Sequence, residues 1–136
     1  MVPQGAPVDQ TIAKLEPLLN PGDILIDGGN SNYKDSMRRH TEVTAKGFQF
    51  VDVGTSGGVW GLKEGYSMMI GGDKEPIEYL RPIFETLAPA ADKGWGHVGR
   101  PGTPRGREIH RLCLAGGTAG QSRLRFSGST PAQTIH

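Results

Sequence analysis

Two glycine-rich loops contain the residue types best suited to binding a small anionic ligand. The first is Asp27-Gly28-Gly29-Asn30-Ser31, and the second begins at Thr55-Ser56-Gly57-Gly58. Glycine lets the backbone approach a ligand closely, an asparagine amide both donates and accepts, and a hydroxyl followed by unobstructed backbone N–H groups can hold a carboxylate or phosphate. Each loop also has a purely structural interpretation. The first could be a strand-to-helix turn, with Asn30 in the left-handed conformation and Ser31 as N-cap, and the second a flexible glycine-rich loop.

The segments around these loops alternate between helix and strand patterns. Apolar residues at helical spacing from Val8 to Leu19 predict a first helix, in which Pro17 should bend the last turn. A second helix is predicted over about 32–46, with Ser31 as its N-cap and a thin apolar stripe that indicates a surface position. A third should follow Asp73, with a kink or an early end at Pro82.

Short apolar runs between these helices predict strands at 23–27, 48–53, 66–70 and 94–99. The repetition of helix and strand with short connections predicts an α/β fold with a mostly parallel sheet. In open sheets of this kind, ligands bind beyond the carboxyl ends of the strands. Both glycine-rich loops follow a predicted strand, so they are expected to lie at that edge.

Composition excludes several classes of protein. The 136 residues include one cysteine, Cys113, which rules out an internal disulfide framework and a cysteine-rich zinc site. His40 and His97 have no partners at metal-ligand spacing, so no metal is expected. No apolar run reaches the roughly 18 residues of a membrane span, and the N-terminus lacks the pattern of a signal peptide. We therefore expect a cytosolic protein without a membrane partner.

The charge is distributed unevenly along the chain, although its formal sum is +1. Residues 100–136 contain six arginines and a single acidic residue, and they lack the apolar periodicity of the first part. Such a composition favours a disordered tail. The arginines could contact nucleic acid, but no aromatic residues alternate with them as in a stacking platform, so no nucleic-acid partner is expected.

Three stretches, MVPQGAPVDQTI, PGDILIDGGNSNYKDSMRR and FVDVGTSGGVWGLKEGYSMMIGGDKE, closely resemble the coenzyme-binding domain of decarboxylating 6-phosphogluconate dehydrogenase. The resemblance is to the second half of that domain and covers residues 1 to about 99. The wider family of β-hydroxyacid dehydrogenases, including 3-hydroxyisobutyrate dehydrogenase, shares the Ser-Gly-Gly loop. The DGGNSNYKDS stretch and the tryptophan in the second loop look more like the 6-phosphogluconate branch.

The resemblance implies a partial, Rossmann-like, doubly wound fold and a role in the pentose phosphate pathway. In the family, NADP or NAD takes a hydride from C3 of 6-phosphogluconate, and the resulting β-keto acid loses carbon dioxide to give ribulose 5-phosphate. Asn30 matches a residue that touches both cofactor and substrate. The family is homo-oligomeric. The other residues implied are Val2, Pro3 and Gln4 for the cofactor, and Ser56, Gly57 and Gly58 for the sugar acid.

The chain also departs from the family pattern. No G-x-G-x-x-G precedes the first helix, and after Gly99 the family's K-x-x-H-N helix is not recognisable. Arg107 and His110 have the Lys/His spacing, but arginine stays protonated and cannot act as a general base. No catalytic residue is therefore assigned. Residues 1–99 are predicted to be the second half of an NAD(P)-binding domain, and 100–136 a non-homologous tail, for which a truncated or frameshifted gene is the simplest explanation.

The protein is consequently expected to be inactive alone. Three other functions stay open at this point. The chain could be a non-catalytic sugar-acid or nucleotide binding module that keeps the two loops. It could instead belong to a related 3-hydroxyacid dehydrogenase, or act as a basic interaction protein through its tail.

Overall fold

A computed structural model describes residues 2–101 of the chain. Helix α1 (Ala6–Leu15) leads through a 3-10 turn (Glu16–Leu18) to strand β1 (Ile24–Asp27). The elements that follow, in chain order, are α2 (Tyr33–Ala45), β2 (Gln49–Ser56), a 3-10 turn (Gly58–Trp60), α3 (Gly61–Glu64), β3 (Ser67–Gly71), α4 (Lys74–Leu87) and β4 (Trp95–Gly99). The α/β class and the number of strands agree with the sequence prediction for this part of the chain.

Within the described residues, the strands form one sheet in the order β1-β2-β3-β4. The β1–β2 and β3–β4 pairs are parallel, and β2 and β3 are antiparallel. The sheet is thus mostly parallel, as predicted, with one reversal. Only ten residues separate Ser56 from Ser67, fewer than the dozen or so that a parallel crossover needs. The chain therefore turns back on itself after β2.

The apolar core lies between the sheet and α4. Helix α4 contributes Ile77, Leu80 and Phe84, which pack against buried residues of β2 and β3. The helix continues past Pro82 to Leu87, so the early end expected at this proline does not occur. Pro82 faces solvent, where water can satisfy the carbonyl that the missing N–H leaves without a partner.

The first helix ends earlier than its apolar pattern predicts. Helix α1 stops at Leu15, and Pro17 lies in the tighter 3-10 turn that follows. Leu18, expected on the apolar face, is 77% exposed. Proline lacks the N–H that another α-helical turn would require, so the chain tightens and directs this leucine outward.

One prediction about α2 is wrong and one is confirmed. Asn32, rather than Ser31, is its N-cap, and the Asn32 side chain accepts a hydrogen bond from the Lys34 N–H. The helix lies on the surface, as its thin apolar stripe predicts, and the residues that it buries are Ser36, Arg39 and Val43. These residues share one face of the helix, but two of the three are polar, so an apolar count underestimates how much of α2 is buried. No helix in residues 2–101 is long and apolar enough to cross a membrane.

Candidate functional site

The two glycine-rich loops meet where β1 and β2 end side by side. These parallel strands are in register, with Asp27 opposite Asp52. The Asn30 side chain joins the loops, because its Nδ2 donates to the Thr55 carbonyl over 2.9 Å and its Oδ1 accepts from the Thr55 N–H over 2.7 Å. Asn30 has a φ of 54°, the left-handed conformation that the structural interpretation of this loop predicts.

The carboxylate of Asp27, the last residue of β1, holds the first loop from below. Its Oδ1 accepts from the Gly29 N–H over 3.0 Å, and its Oδ2 accepts from the Ser31 hydroxyl over 2.6 Å. Ser31 is fully buried, and the exposed fraction of Asp27 is 7%. Ser31 therefore contributes to the loop through this bond and not as the cap of α2. From the sequence, Asp27 was predicted to belong to the first loop, without a role of its own.

Arg39 on α2 connects the Asp27 carboxylate to α1. Its Nη1 donates to Asp27 Oδ2 over 3.3 Å, its Nε donates to Asp9 Oδ1 over 2.8 Å, and its Nη2 donates to the Gly5 carbonyl over 2.9 Å. The guanidinium is almost fully buried. The bond to Asp9 raises the pKa of Arg39 against the opposing effect of burial. Arg39 was not predicted to be a functional residue. Its spacing of three residues from Ser36 and four from Val43 does indicate that the three share one face of α2.

Asp52 lies beside this network as a second buried carboxyl group. Its exposed fraction is 7%, and its Oδ1 has no hydrogen-bond partner. Burial raises the pKa of Asp52 to about 7, and the negative charge of Asp27 adds to the effect, whereas the Ser36 hydroxyl and the Arg39 charge oppose it. With Arg39 already bonded to Asp27 and Asp9, Asp52 is mainly the neutral acid below neutral pH.

The second loop folds over the ring of Tyr66. A Cβ added to Gly57 would come within 2.9 Å of Tyr66 Cδ1, and one added to Gly61 would overlap the same ring. Gly57 and Gly61 are thus required for close packing, which accounts for part of the glycine content without any ligand. Gly58 has open space around it, and its φ of 48° also favours glycine. Ser56 ends β2 and is partly exposed.

The N-terminal residues expected at the cofactor lie next to the first loop. Val2, Pro3 and Gln4 are exposed and precede α1. The Val2 carbonyl oxygen would lie 3.7 Å from a Cβ on Gly29. A cavity of about 260 Å³ between α1 and β1 is lined in part by Val2 and Gly29, but not by residues of the second loop. The structure therefore groups Val2 with Gly29, and Asn30 with the second loop.

Several other sequence predictions have separate outcomes. Arg107, His110 and the whole predicted tail beyond Pro101 lie outside the described residues. Within residues 2–101, no three His, Cys, Asp or Glu side chains form a group that could hold a metal ion.

The residues 94–99 do have G-x-G-x-x-G spacing. They form β4 and its preceding turn, however, whereas a phosphate-binding loop joins a strand to the helix that follows it.

Comparison with known proteins finds matches over most of the described part of the chain. The family described as "NAD binding domain of 6-phosphogluconate dehydrogenase" matches residues 1–98. The decarboxylating 6-phosphogluconate dehydrogenase of Raoultella planticola is 48% identical over 94 residues, which is 69% of this chain and 21% of that protein. The enzyme of Lactococcus lactis subsp. lactis is 50% identical over 91 residues, or 67% of this chain and 19% of that protein. The chain thus spans about a fifth of the length of these relatives.

Solved structures show the same fold. Plasmodium falciparum 6-phosphogluconate dehydrogenase, studied in complex with NADP+ and with 6-phosphogluconate, superposes with a TM-score of 0.72 at 28% identity, covering 82% of this chain and 24% of that one. Mycobacterium tuberculosis 3-hydroxyisobutyrate dehydrogenase superposes with a TM-score of 0.71 at 23% identity, covering 85% of this chain and 38% of that one. The second likeness concerns the fold alone.

Proposed function

Because the chain belongs to the NAD-binding domain family of 6-phosphogluconate dehydrogenase, we propose that it supplies part of the site at which 6-phosphogluconate is oxidised and decarboxylated. When bound, NADP or NAD would supply the hydride acceptor for that reaction. The residues of this chain bind and orient the two reactants. Val2, Pro3, Gln4 and Asn30 are proposed to face the cofactor. Asn30, Ser56, Gly57 and Gly58 are proposed to face the sugar acid.

The observation that carries this proposal is the pair of hydrogen bonds between Asn30 and Thr55. A carboxamide has two N–H donors and two acceptor lone pairs. Thr55 uses one donor and one lone pair, so one of each is left for ligands. These two bonds hold the Asn30 amide at a fixed orientation between the first loop, which lies beside Val2, and the second loop. A group in that place can contact a cofactor on one side and a substrate on the other.

The chain alone is proposed to have no turnover. A group that takes the proton from the substrate hydroxyl is needed for the oxidation, and no residue of this chain is assigned to that role. Even modest enzymes lower their barriers by about 8 kcal/mol, and binding loops alone supply only the positioning part of that amount. A measurable oxidation of 6-phosphogluconate by the isolated chain, lost on removal of the Asn30 amide, would overturn this point.

Titration of the ¹⁵N-labelled chain with 6-phosphogluconate, followed by NMR, tests the binding role. We expect saturable shifts at Asn30, Ser56, Gly57 and Gly58. Asn30→Gly keeps the left-handed backbone accessible while removing the amide, and it should weaken binding by about tenfold, as expected when about 1.4 kcal/mol of contacts is lost. Asn20→Ala, at an exposed asparagine in the turn before β1, is the matched control.

The outcomes of this titration separate the alternatives. Shifts with 6-phosphogluconate but not with 3-hydroxyisobutyrate support the proposed substrate class, and the reverse supports a related hydroxyacid dehydrogenase. Shifts scattered over the surface with no saturation contradict the proposal. A parallel titration with NADP and NAD tests the cofactor role of residues 2–4.

We further propose that residues 1–99 act as the second half of the cofactor-binding domain and that residues 100–136 take no part in the site. The family match, which ends at residue 98, supports this division. A chain shortened to residues 1–101 should keep the affinity for 6-phosphogluconate within about twofold, a difference below 0.5 kcal/mol. A loss of binding would assign the removed residues to the site. The cytosolic location stays a prediction.

A further inference from the structure

We propose that Arg39 is a positioning residue for the Asn30 loop, acting through the Asp27 carboxylate that its planar guanidinium orients. The inference rests on the proposed function for what the loop binds, but not for how the loop is held. Arg39 itself is buried beneath the loop and is not expected to touch either reactant.

The Asp27 carboxylate is the link between Arg39 and the loop. Each of its oxygens holds one loop residue: Oδ1 accepts from Gly29 and Oδ2 from Ser31. Asn30 lies between these two residues and has the left-handed φ of 54°. Because both neighbours of Asn30 are tied to one carboxylate, a rotation of that carboxylate shifts the residue between them.

Arg39 is the charged partner of this carboxylate. Its Nη1 donates to Asp27 Oδ2 over 3.3 Å and adds a third hydrogen bond to the two from the loop. The guanidinium is held on its other side by Asp9 and by the Gly5 carbonyl, both from the start of α1. Its planar fork thus joins α1, β1 and α2 at one point. A lysine would keep the charge, but a single ammonium lacks the fixed fork geometry that reaches three acceptors at once.

The effect extends to the second loop through the Asn30 amide. Both hydrogen bonds of that amide to Thr55 require a defined position of the Asn30 Cα. A displaced Asn30 loop therefore loosens the contact with Thr55, next to Ser56. In this way Arg39 determines the relative placement of the two loops.

The variant Arg39→Lys in the full chain separates positioning from charge balance. If charge balance is the whole role of Arg39, the lysine variant keeps the exchange rates of the unaltered chain. If the fork positions the loop, Arg39→Lys keeps most of the global stability but makes the Gly29 and Thr55 amides exchange about fivefold to tenfold faster, as expected for one weakened hydrogen bond. The Ile70 amide in the sheet centre serves as the internal reference, because Ile70 is fully buried in β3.

Arg38→Ala is the matched control. Arg38 is the adjacent arginine, also pairs with Asp9, and is 43% exposed, but it has no contact with Asp27. The variant Arg38→Ala should leave the exchange of the Gly29, Thr55 and Ile70 amides unchanged. Ser31→Ala, which removes one of the bonds to Asp27 without changing any charge, should reproduce the faster exchange at Gly29 and Thr55.

Exchange is measured without ligand, so its result is independent of the proposed function. A uniform acceleration that includes Ile70, or no acceleration at Gly29 and Thr55 in Arg39→Lys, overturns the positioning role. In the same variant, the affinity for 6-phosphogluconate should fall by about fivefold or more, in line with the loosened loop. If exchange responds as expected while the unaltered chain does not bind 6-phosphogluconate, the positioning role stands and the proposed function fails.

Discussion

Replacing Asp52 with asparagine should stabilise the folded chain by an amount that grows with pH. Burial raises the pKa of Asp52 from its ordinary value of 3.8 to about 7 in the folded state. Between these two values the folded chain binds more protons than the unfolded chain. Its stability therefore falls as the pH rises through this window and becomes level above about pH 7.

The size of the effect follows from the shift. One unit of pKa corresponds to about 1.4 kcal/mol, so ionised Asp52 costs the folded chain about 4 kcal/mol above pH 7. At pH 5 only the part of the shift between the unfolded value and that pH applies, which is about 2 kcal/mol. Asparagine has the shape of the neutral acid but no ionisable group. The stability gained by Asp52→Asn should thus be larger at pH 8 than at pH 5 by about 2 to 3 kcal/mol.

Urea unfolding at several pH values between 5 and 8, followed by tryptophan fluorescence, measures this difference. Trp95 is a suitable probe because it packs against the buried Phe84 at a ring distance of 5.7 Å. Asp92→Asn, at an exposed carboxylate of the turn before β4, controls for the loss of a negative charge. If the curves of Asp52→Asn and the unaltered chain stay parallel across this pH range, Asp52 is not a buried neutral acid and the reasoning is refuted.

Two further predictions concern packing and backbone, each with a matched variant. Gly65→Ala should prevent normal folding, at a cost of about 3 kcal/mol or more, because the new Cβ would overlap the backbone of Pro89 and φ is +85°. Gly22→Ala, with a φ of +92° but open space, should cost only the strain of about 1–2 kcal/mol. Phe84→Ala should lower the free energy of unfolding by about 3–5 kcal/mol, whereas Tyr79→Ala, on the exposed side of the same helix, should change it by less than about 0.5 kcal/mol. Thermal unfolding of the unaltered chain and the four variants in parallel checks both predictions, and equal effects at the paired positions would contradict them.

The local part of the fold was predictable because its signals lie within short stretches of sequence. Apolar spacing and end signals placed α2, α4 and the strands to within a few residues. The first glycine-rich loop follows β1 as expected, whereas the second starts within β2, whose last residues are Thr55 and Ser56. The antiparallel β3 was not predicted, although the ten-residue connection from Ser56 to Ser67 contains the information. Pro17 alters the end of α1, as expected. The chain tightens there into a 3-10 turn, which exposes Leu18.

The sequence by itself determined the elements, their order and the family to which they belong, since each of these depends on neighbours along the chain. Only the tertiary structure decided how the loops are held. The bonds of Arg39 to Asp27 and Asp9 and of Asn30 to Thr55 join residues 12 to 30 positions apart. The same residue types at the same spacing would be solvated surface groups if α2 were rotated about its axis. Strand register sets Asp27 beside Asp52, and the burial that follows, rather than any local motif, raises the pKa of Asp52.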